Sequence, residues 1–181
     1  EGGGGHTFVI QDGNVMGSRG SIIPKFIEGS KKGQLHITNK SMTRFNITLQ
    51  DSINMTLFAL ENTIGGEIII PKIPSYNLMD LAKAIGPSCK IKYTGIRSGE
   101  KIHEEMITTS DSYLTIDIGK YYLILPGDKI EKFSKYFQKK FKVKKVEERF
   151  SYNSLDNKFF LTVGEIRKLI IENVDPNFKP I

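Results

Sequence analysis

The chain has 181 residues, 26 Lys and Arg against 20 Asp and Glu for a formal charge of +6, 39% hydrophobic residues and a single cysteine. A chain of this length makes one globular domain or slightly more and buries roughly 70% of the surface its unfolded form exposes, so a core needs neither disulfide nor metal. Cys89 has no partner for an internal disulfide and no Cys/His cluster has zinc spacing. These facts exclude a disulfide scaffold and a structural metal, and they fit a reducing, cytoplasmic setting. The longest apolar stretches, such as Ile68 to Pro71 and Tyr121 to Pro126, fall well short of the ~20 residues of a membrane span.

The charge is local. Between Asp128 and Arg149 lie nine basic and four acidic residues, and the other 159 positions carry 17 basic and 16 acidic groups. A partner inferred from the net charge would therefore be inferred from one segment.

In chain order, Glu1 and four glycines read as a flexible end or linker, with no secretory signal. His6 to Ile10 predicts a buried strand that ends in the turn-forming Asp12-Gly13-Asn14. A buried strand that opens a chain needs neighbours on both sides, so the chain reads as a fragment of a longer protein. Pro24 marks the first turn of a helix to about Lys32, with Ile23, Phe26 and Ile27 inward and Gly33 as its stop. Leu35 to Thr38 follows as a short strand. Thr48 with Asp51 reads as the start of a helix whose apolar face is Ile53, Leu57 and Leu60. Glu67 to Ile70 is a strand. Ser75 or Asn77 caps a helix using Leu78, Leu81, Ala82 and Ile85 and ending at Gly86-Pro87. Lys90 to Ile96 and Tyr121 to Leu125 read as strands. Ile130, Phe133 and Phe137 predict one buried face of a lysine-rich helix. Thr162 and Glu165 have capping-box spacing before a last helix that buries Val163, Ile166, Leu169 and Ile170.

Four stretches combine Gly, Arg and polar groups where a packed core would not want them: Gly13 to Ser21, Met42 to Phe45, Gly66 to Pro74, and Gly95 to Glu104. Gly-rich loops bring backbone N–H groups close to an anion, and arginine offers a planar fork matched to phosphate oxygens. Arg44 and Arg97 together could reach one pyrophosphate. Each loop alone reads more readily as a plain turn, and each arginine alone as a surface ion pair.

Taken in series, these motifs, with Phe150-Ser151-Tyr152-Asn153-Ser154 near the end, resemble the C-terminal half of the extended short-chain dehydrogenase/reductase family. More narrowly they resemble its inverting UDP-N-acetylglucosamine 4,6-dehydratases of polysaccharide and pseudaminic acid biosynthesis. The resemblance implies an α/β fold: the last strand of a Rossmann-like parallel sheet plus a small mixed α/β substrate-binding domain. On that basis residues 1–5 are a linker, 6–127 the substrate-binding half, 128–149 a Lys-rich segment, 150–174 a C-terminal helical cap and 175–181 a frayed tail. It also implies a UDP-sugar as ligand, NADP held mainly by a part absent from this chain, room for a homo-oligomer, and a lyase activity in the full-length protein. By family position Asn14 lies near the substrate phosphates, Arg44 and Arg97 hold the pyrophosphate, Glu100 accepts from the nucleoside ribose, and Ser18 and Arg19 line the sugar side. No catalytic residue falls in this chain, because the family's Tyr-x-x-x-Lys pair and Gly-rich cofactor turn lie upstream.

Tyr136 and Lys140 have the catalytic spacing but sit in the lysine-rich segment, so they read as a chance match. Family members usually carry Arg-Tyr where this chain has Gln11-Asp12, Trp where it has Asn46, and Pro where it has Ser98. His103 reads as a helix-start side chain rather than a catalyst. Two other classes compete: a truncated, non-catalytic sugar-nucleotide-binding or interaction module, and a basic nucleic-acid-binding module built on Lys129 to Lys145, for which no RNA-binding signature is present.

Overall fold

The computed structural model describes residues 7, 9–11 and 13–181. The glycine tract, His6 and Asp12, on which sequence expectations rested, lie outside the described residues. In order come β1 (Val9–Ile10), β2 (Asn14–Val15), α1 (Ile22–Lys31), β3 (Gln34–Ile37), β4 (Thr43–Ile47), α2 (Leu49–Asn62), β5 (Ile68–Pro71), β6 (Ser75–Asn77) and α3 (Leu78–Ile85). There follow β7 (Lys90–Tyr93), β8 (Glu105–Ile107), β9 (Thr115–Asp117), β10 (Tyr121–Ile124), α4 (Ile130–Gln138), β11 (Lys144–Lys145), β12 (Tyr152–Asn153) and α5 (Val163–Asn173). The class is α/β, as expected, with parallel and antiparallel pairs together. The chain forms two compact units, each assembled from discontinuous stretches.

One unit combines the described residues up to position 11 with residues 50–72 and 105–152. Its sheet runs β1-β5-β10-β9-β11. Among the described residues only β1 and β5 pair in parallel within it, through Val9↔Ile68 and Ile10↔Ile69. Ile69, Ile70 and Leu123 are fully buried there. The β9–β10 turn is tied down by Asp117 Oδ1, which accepts from Gly119 N and from Lys72 Nζ at 2.6 Å. As the spacing predicts, α4 buries Phe133 and Phe137.

Two expectations about this unit are corrected. The strand at Val9 is not buried: Val9 is 51% exposed, and β1 pairs with β5 alone among the described residues. On α2, the predicted face of Ile53, Leu57 and Leu60 points outward, and Met55 and Ala59 are buried instead. Phe58 sides with that second stripe, its ring 4.6 Å from Tyr121 and 5.6 Å from Phe141. Both stripes have helical spacing, and periodicity cannot tell which one meets the sheet.

The second unit combines residues 13–49, 73–104 and 153–181. Strand β4 is central in a three-stranded sheet, parallel to β2 through Asn14↔Asn46 and antiparallel to β6 through Arg44↔Tyr76. A second, parallel pair joins β3 to β7. Helices α1, α3 and α5 supply Ile23, Phe26, Leu81, Ile85, Ile166 and Ile170 to one core with Leu35, Ile37 and Tyr76. Phe178, from the terminal stretch, joins the same core.

Helix ends follow local chemistry. Asn77, rather than Ser75, caps α3 by accepting from Met79 N at 2.7 Å. Thr162 and Glu165 form the expected capping box of α5, and this holds the Glu165 carboxyl below its usual range. Arg167 of α5 donates to the carbonyls of Ala84 and Lys83, at 3.0 and 3.1 Å, placing a cation at the last turn of α3.

Candidate functional site

Within the second unit a cavity of about 500 Å³ is lined by Asn14, Arg44, Arg97 and Glu100, together with Lys25, Lys32, His36, Thr38 and Met42. Four of the six sequence-predicted site residues thus share one cavity, although they come from β2, β4 and the turn after β7. Ser18 and Arg19 are exposed in the loop between β2 and α1 and do not line it.

The two arginines are held very differently. Arg44 is mostly enclosed, its side chain 15% exposed. Its Nη1 donates to the carbonyls of Thr43 at 2.7 Å and Ile102 at 3.0 Å, and its Nη2 donates to Met42 Sδ at 3.0 Å. Nε stands 3.7 Å from Glu104 Oε1. Most of its donors are therefore spent on the protein, and Arg44 works as a fixed positive charge rather than a free fork. Arg97 is exposed, and its guanidinium has no hydrogen-bond or ion-pair partner among the described residues.

Arg97 sits in a turn in which Glu100 N donates to the Arg97 carbonyl at 3.0 Å. Gly99 occupies the left-handed position at φ +78°, which side chains avoid. Glu100 returns its carboxylate to Arg97 N and accepts from Thr38 Oγ1 at 3.4 Å. Glu100 is thereby directed toward the cavity wall.

Glu104, to which the sequence motifs assigned no role, anchors the inner side. Oε1 accepts from Asn14 Nδ2 at 2.6 Å, and Oε2 accepts from Phe45 N at 2.7 Å. Ser154 braces its backbone: Glu104 N donates to Ser154 Oγ at 2.9 Å, and Ser154 N donates to the Glu104 carbonyl at 2.8 Å. The sequence signal was its place at the end of the fourth Gly/Arg stretch.

His103 is not at a helix start. It lies in the bend before β8, where Nδ1 is 2.8 Å from Thr43 Oγ1, and that hydroxyl is 2.7 Å from Ser154 Oγ. A structural role follows from these contacts. Tyr136 and Lys140 lie one turn apart at α4, Lys140 Nζ donating to the phenol at 2.8 Å, in the other unit. Tyr76 is buried beside Arg44, its cross-strand partner, and its hydroxyl has no hydrogen-bond partner among the described residues. Burial pushes this phenol well above its usual pKa; the Glu104 charge acts in the same direction and Arg44 opposes it.

The model for the family described as polysaccharide biosynthesis protein matches residues 4–126, and the chain belongs to that family. It is 44% identical over 170 residues, 90% of its length, to a UDP-N-acetylglucosamine 4,6-dehydratase (inverting) of Campylobacter jejuni subsp. jejuni, covering 50% of that protein. It is 37% identical to a UDP-glucose 4-epimerase of Rickettsia canadensis, over 90% of this chain and 48% of that one. Among solved structures, Pen from Bacillus thuringiensis superposes with a TM-score of 0.77 at 28% identity, over 92% of this chain and 50% of that one. The chain spans about half the length of the curated relatives it matches. No helix among the described residues is long and apolar enough to cross a membrane.

Proposed function

We propose that this chain is the UDP-sugar-holding part of an NADP-dependent UDP-N-acetylglucosamine 4,6-dehydratase acting in the cytoplasm in nucleotide-sugar and polysaccharide biosynthesis. The observation that carries the reading is the convergence of Asn14, Arg44, Arg97 and Glu100 on one cavity. The relatives named as dehydratase and as epimerase differ in reaction but share a UDP-sugar. The UDP moiety is therefore the part of the ligand on which the support is broadest.

In this reading Arg97 supplies the mobile fork for the diphosphate and Arg44 a fixed charge behind it. Asn14 offers its amide carbonyl from the inner wall, and Glu100 accepts from the ribose. The reaction of the whole protein would oxidise C4 of the sugar, eliminate water across C5 and C6 and return hydride to C6. NADP would supply the hydride acceptor and donor. The residues of this cavity do not form a binding site for it: the two arginines are the diphosphate's ligands here, and no Tyr-x-x-x-Lys pair lines the wall. We assign the cofactor to sequence that the longer relatives have in addition. A homo-oligomer is part of the same proposal.

Calorimetric titration of UDP and UDP-N-acetylglucosamine into the chain tests the reading. Arg97→Ala and Arg44→Ala are each expected to weaken binding about tenfold or more, the loss of a charge-assisted contact. Native affinity in both variants would overturn the assignment.

A further inference from the structure

We propose that Glu104 is the positioning residue of this cavity, holding the Asn14 amide and the Arg44 guanidinium in place from behind without touching the ligand. The inference rests on the UDP-sugar reading above and assigns that site a further residue.

Glu104 does not line the cavity, yet it hydrogen-bonds Asn14 and lies 3.7 Å from Arg44 Nε, both of which do. A carboxylate next to an anion site weakens binding by repulsion if it does nothing else. Here its two oxygens accept from donors on two strands, Asn14 Nδ2 on β2 and Phe45 N on β4, and Arg44 Nε lies 3.7 Å from one of them. An ionised carboxylate only accepts, so the short contact fixes the orientation of the Asn14 amide, with Nδ2 toward Glu104 and Oδ1 away from it. The same charge sits against Nε, the one Arg44 nitrogen that donates to neither a carbonyl nor sulfur. The acid thus reaches the anion through Arg44, while the Asn14 carbonyl that it orients suits a donor on the ligand rather than a phosphate oxygen. Its backbone is pinned twice to Ser154, so the carboxylate has little freedom to leave.

Glu104→Gln keeps the shape but places an NH2 group against either Asn14 Nδ2 or Phe45 N, both donors, so either a contact is lost or the Asn14 amide turns over, and in both cases the charge beside Arg44 Nε is gone. The experiment titrates native chain and variant with UDP by calorimetry and with uridine by NMR. The expected result is UDP binding about tenfold weaker, uridine binding within about twofold, and no further UDP loss when Glu104→Gln is added to Arg44→Ala. Equal UDP affinity in native chain and Glu104→Gln overturns the proposal. Equal weakening of UDP and uridine also overturns it, because a general structural loss does not distinguish phosphate from base. A native chain that binds no UDP sinks the functional reading itself, a failure visible before any variant is made.

Should Glu104→Gln not fold, the Arg44 Nε–H resonance of the native chain, assigned through Arg44→Lys, decides. A slowly exchanging, dispersed signal that moves on addition of UDP supports the proposal. A solvent-averaged signal overturns it.

Discussion

Asn14 Nδ2 donates to Glu104 Oε1 at 2.6 Å across 90 residues of sequence, joining the first strand of the second unit to the segment that follows its last. The bond is charge-assisted and part-buried, so each partner depends on the other's chemistry. Asn14→Asp would set two carboxylates face to face. We expect this variant to lose about 2 kcal/mol at pH 7. Part of the loss should return on acidification, where one proton can be shared. Thermal unfolding at neutral and acid pH reads this; a midpoint that does not rise relative to the native chain on acidification would contradict it.

Arg44 and Arg97 should separate in stability. Arg44→Ala removes a donor from the Thr43 and Ile102 carbonyls, the second of which still accepts from Thr43 N, and is expected to cost about 1–3 kcal/mol. Arg97→Ala removes an exposed side chain without a partner and should fall within about 0.5 kcal/mol of native. Urea denaturation of both variants makes the comparison.

Tyr76 carries an orphan hydroxyl in a packed wall. Tyr76→Phe should be neutral or stabilising by about 1 kcal/mol at pH 7, since it removes an unsatisfied buried group. The folded state holds this proton more tightly than the unfolded chain does. Stability is therefore undisturbed below pH 10, the ordinary tyrosine value, and falls as pH rises above it. The alkaline slope should be shallower in Tyr76→Phe, with Tyr122, also raised by burial, contributing the remainder.

Gly17 has φ +74°, and a Cβ added there would stand 2.9 Å from Val174 Cγ2. Gly17→Ala therefore meets both backbone strain and a clash with the end of α5. A loss of about 1–3 kcal/mol is expected. Gly17→Ala with Val174→Ala should recover only the steric share, which a double-mutant cycle measures.

The outward stripe of α2 ends in Leu57, 51% exposed, and Leu60, 65% exposed. Leu57→Glu and Leu60→Lys are expected to change stability by less than about 0.5 kcal/mol and to raise solubility. A core-like loss on denaturation would mean that the inward face is wrongly assigned.

Local signals were largely legible in the sequence. The capping box of Thr162 and Glu165, the stop at Gly33, and the inward Phe133 and Phe137 follow from hydrogen-bond and spacing rules that operate within one or two turns. The same rules failed at α2, where two apolar stripes compete and only packing chooses, and at Val9, where burial depends on a neighbouring strand.

The candidate site divides along the same line. By itself the sequence determined which residues have the chemistry for an anionic ligand, Arg44 and Arg97 among them, because charge and hydrogen-bonding capacity belong to the side chain. Only the tertiary structure decided that Asn14, Arg44, Arg97 and Glu100 share a cavity, that Arg44 is tethered while Arg97 is free, and that Glu104 stands behind two of them. Those are relations between strands far apart in the chain, set by register and burial, which no residue type carries alone.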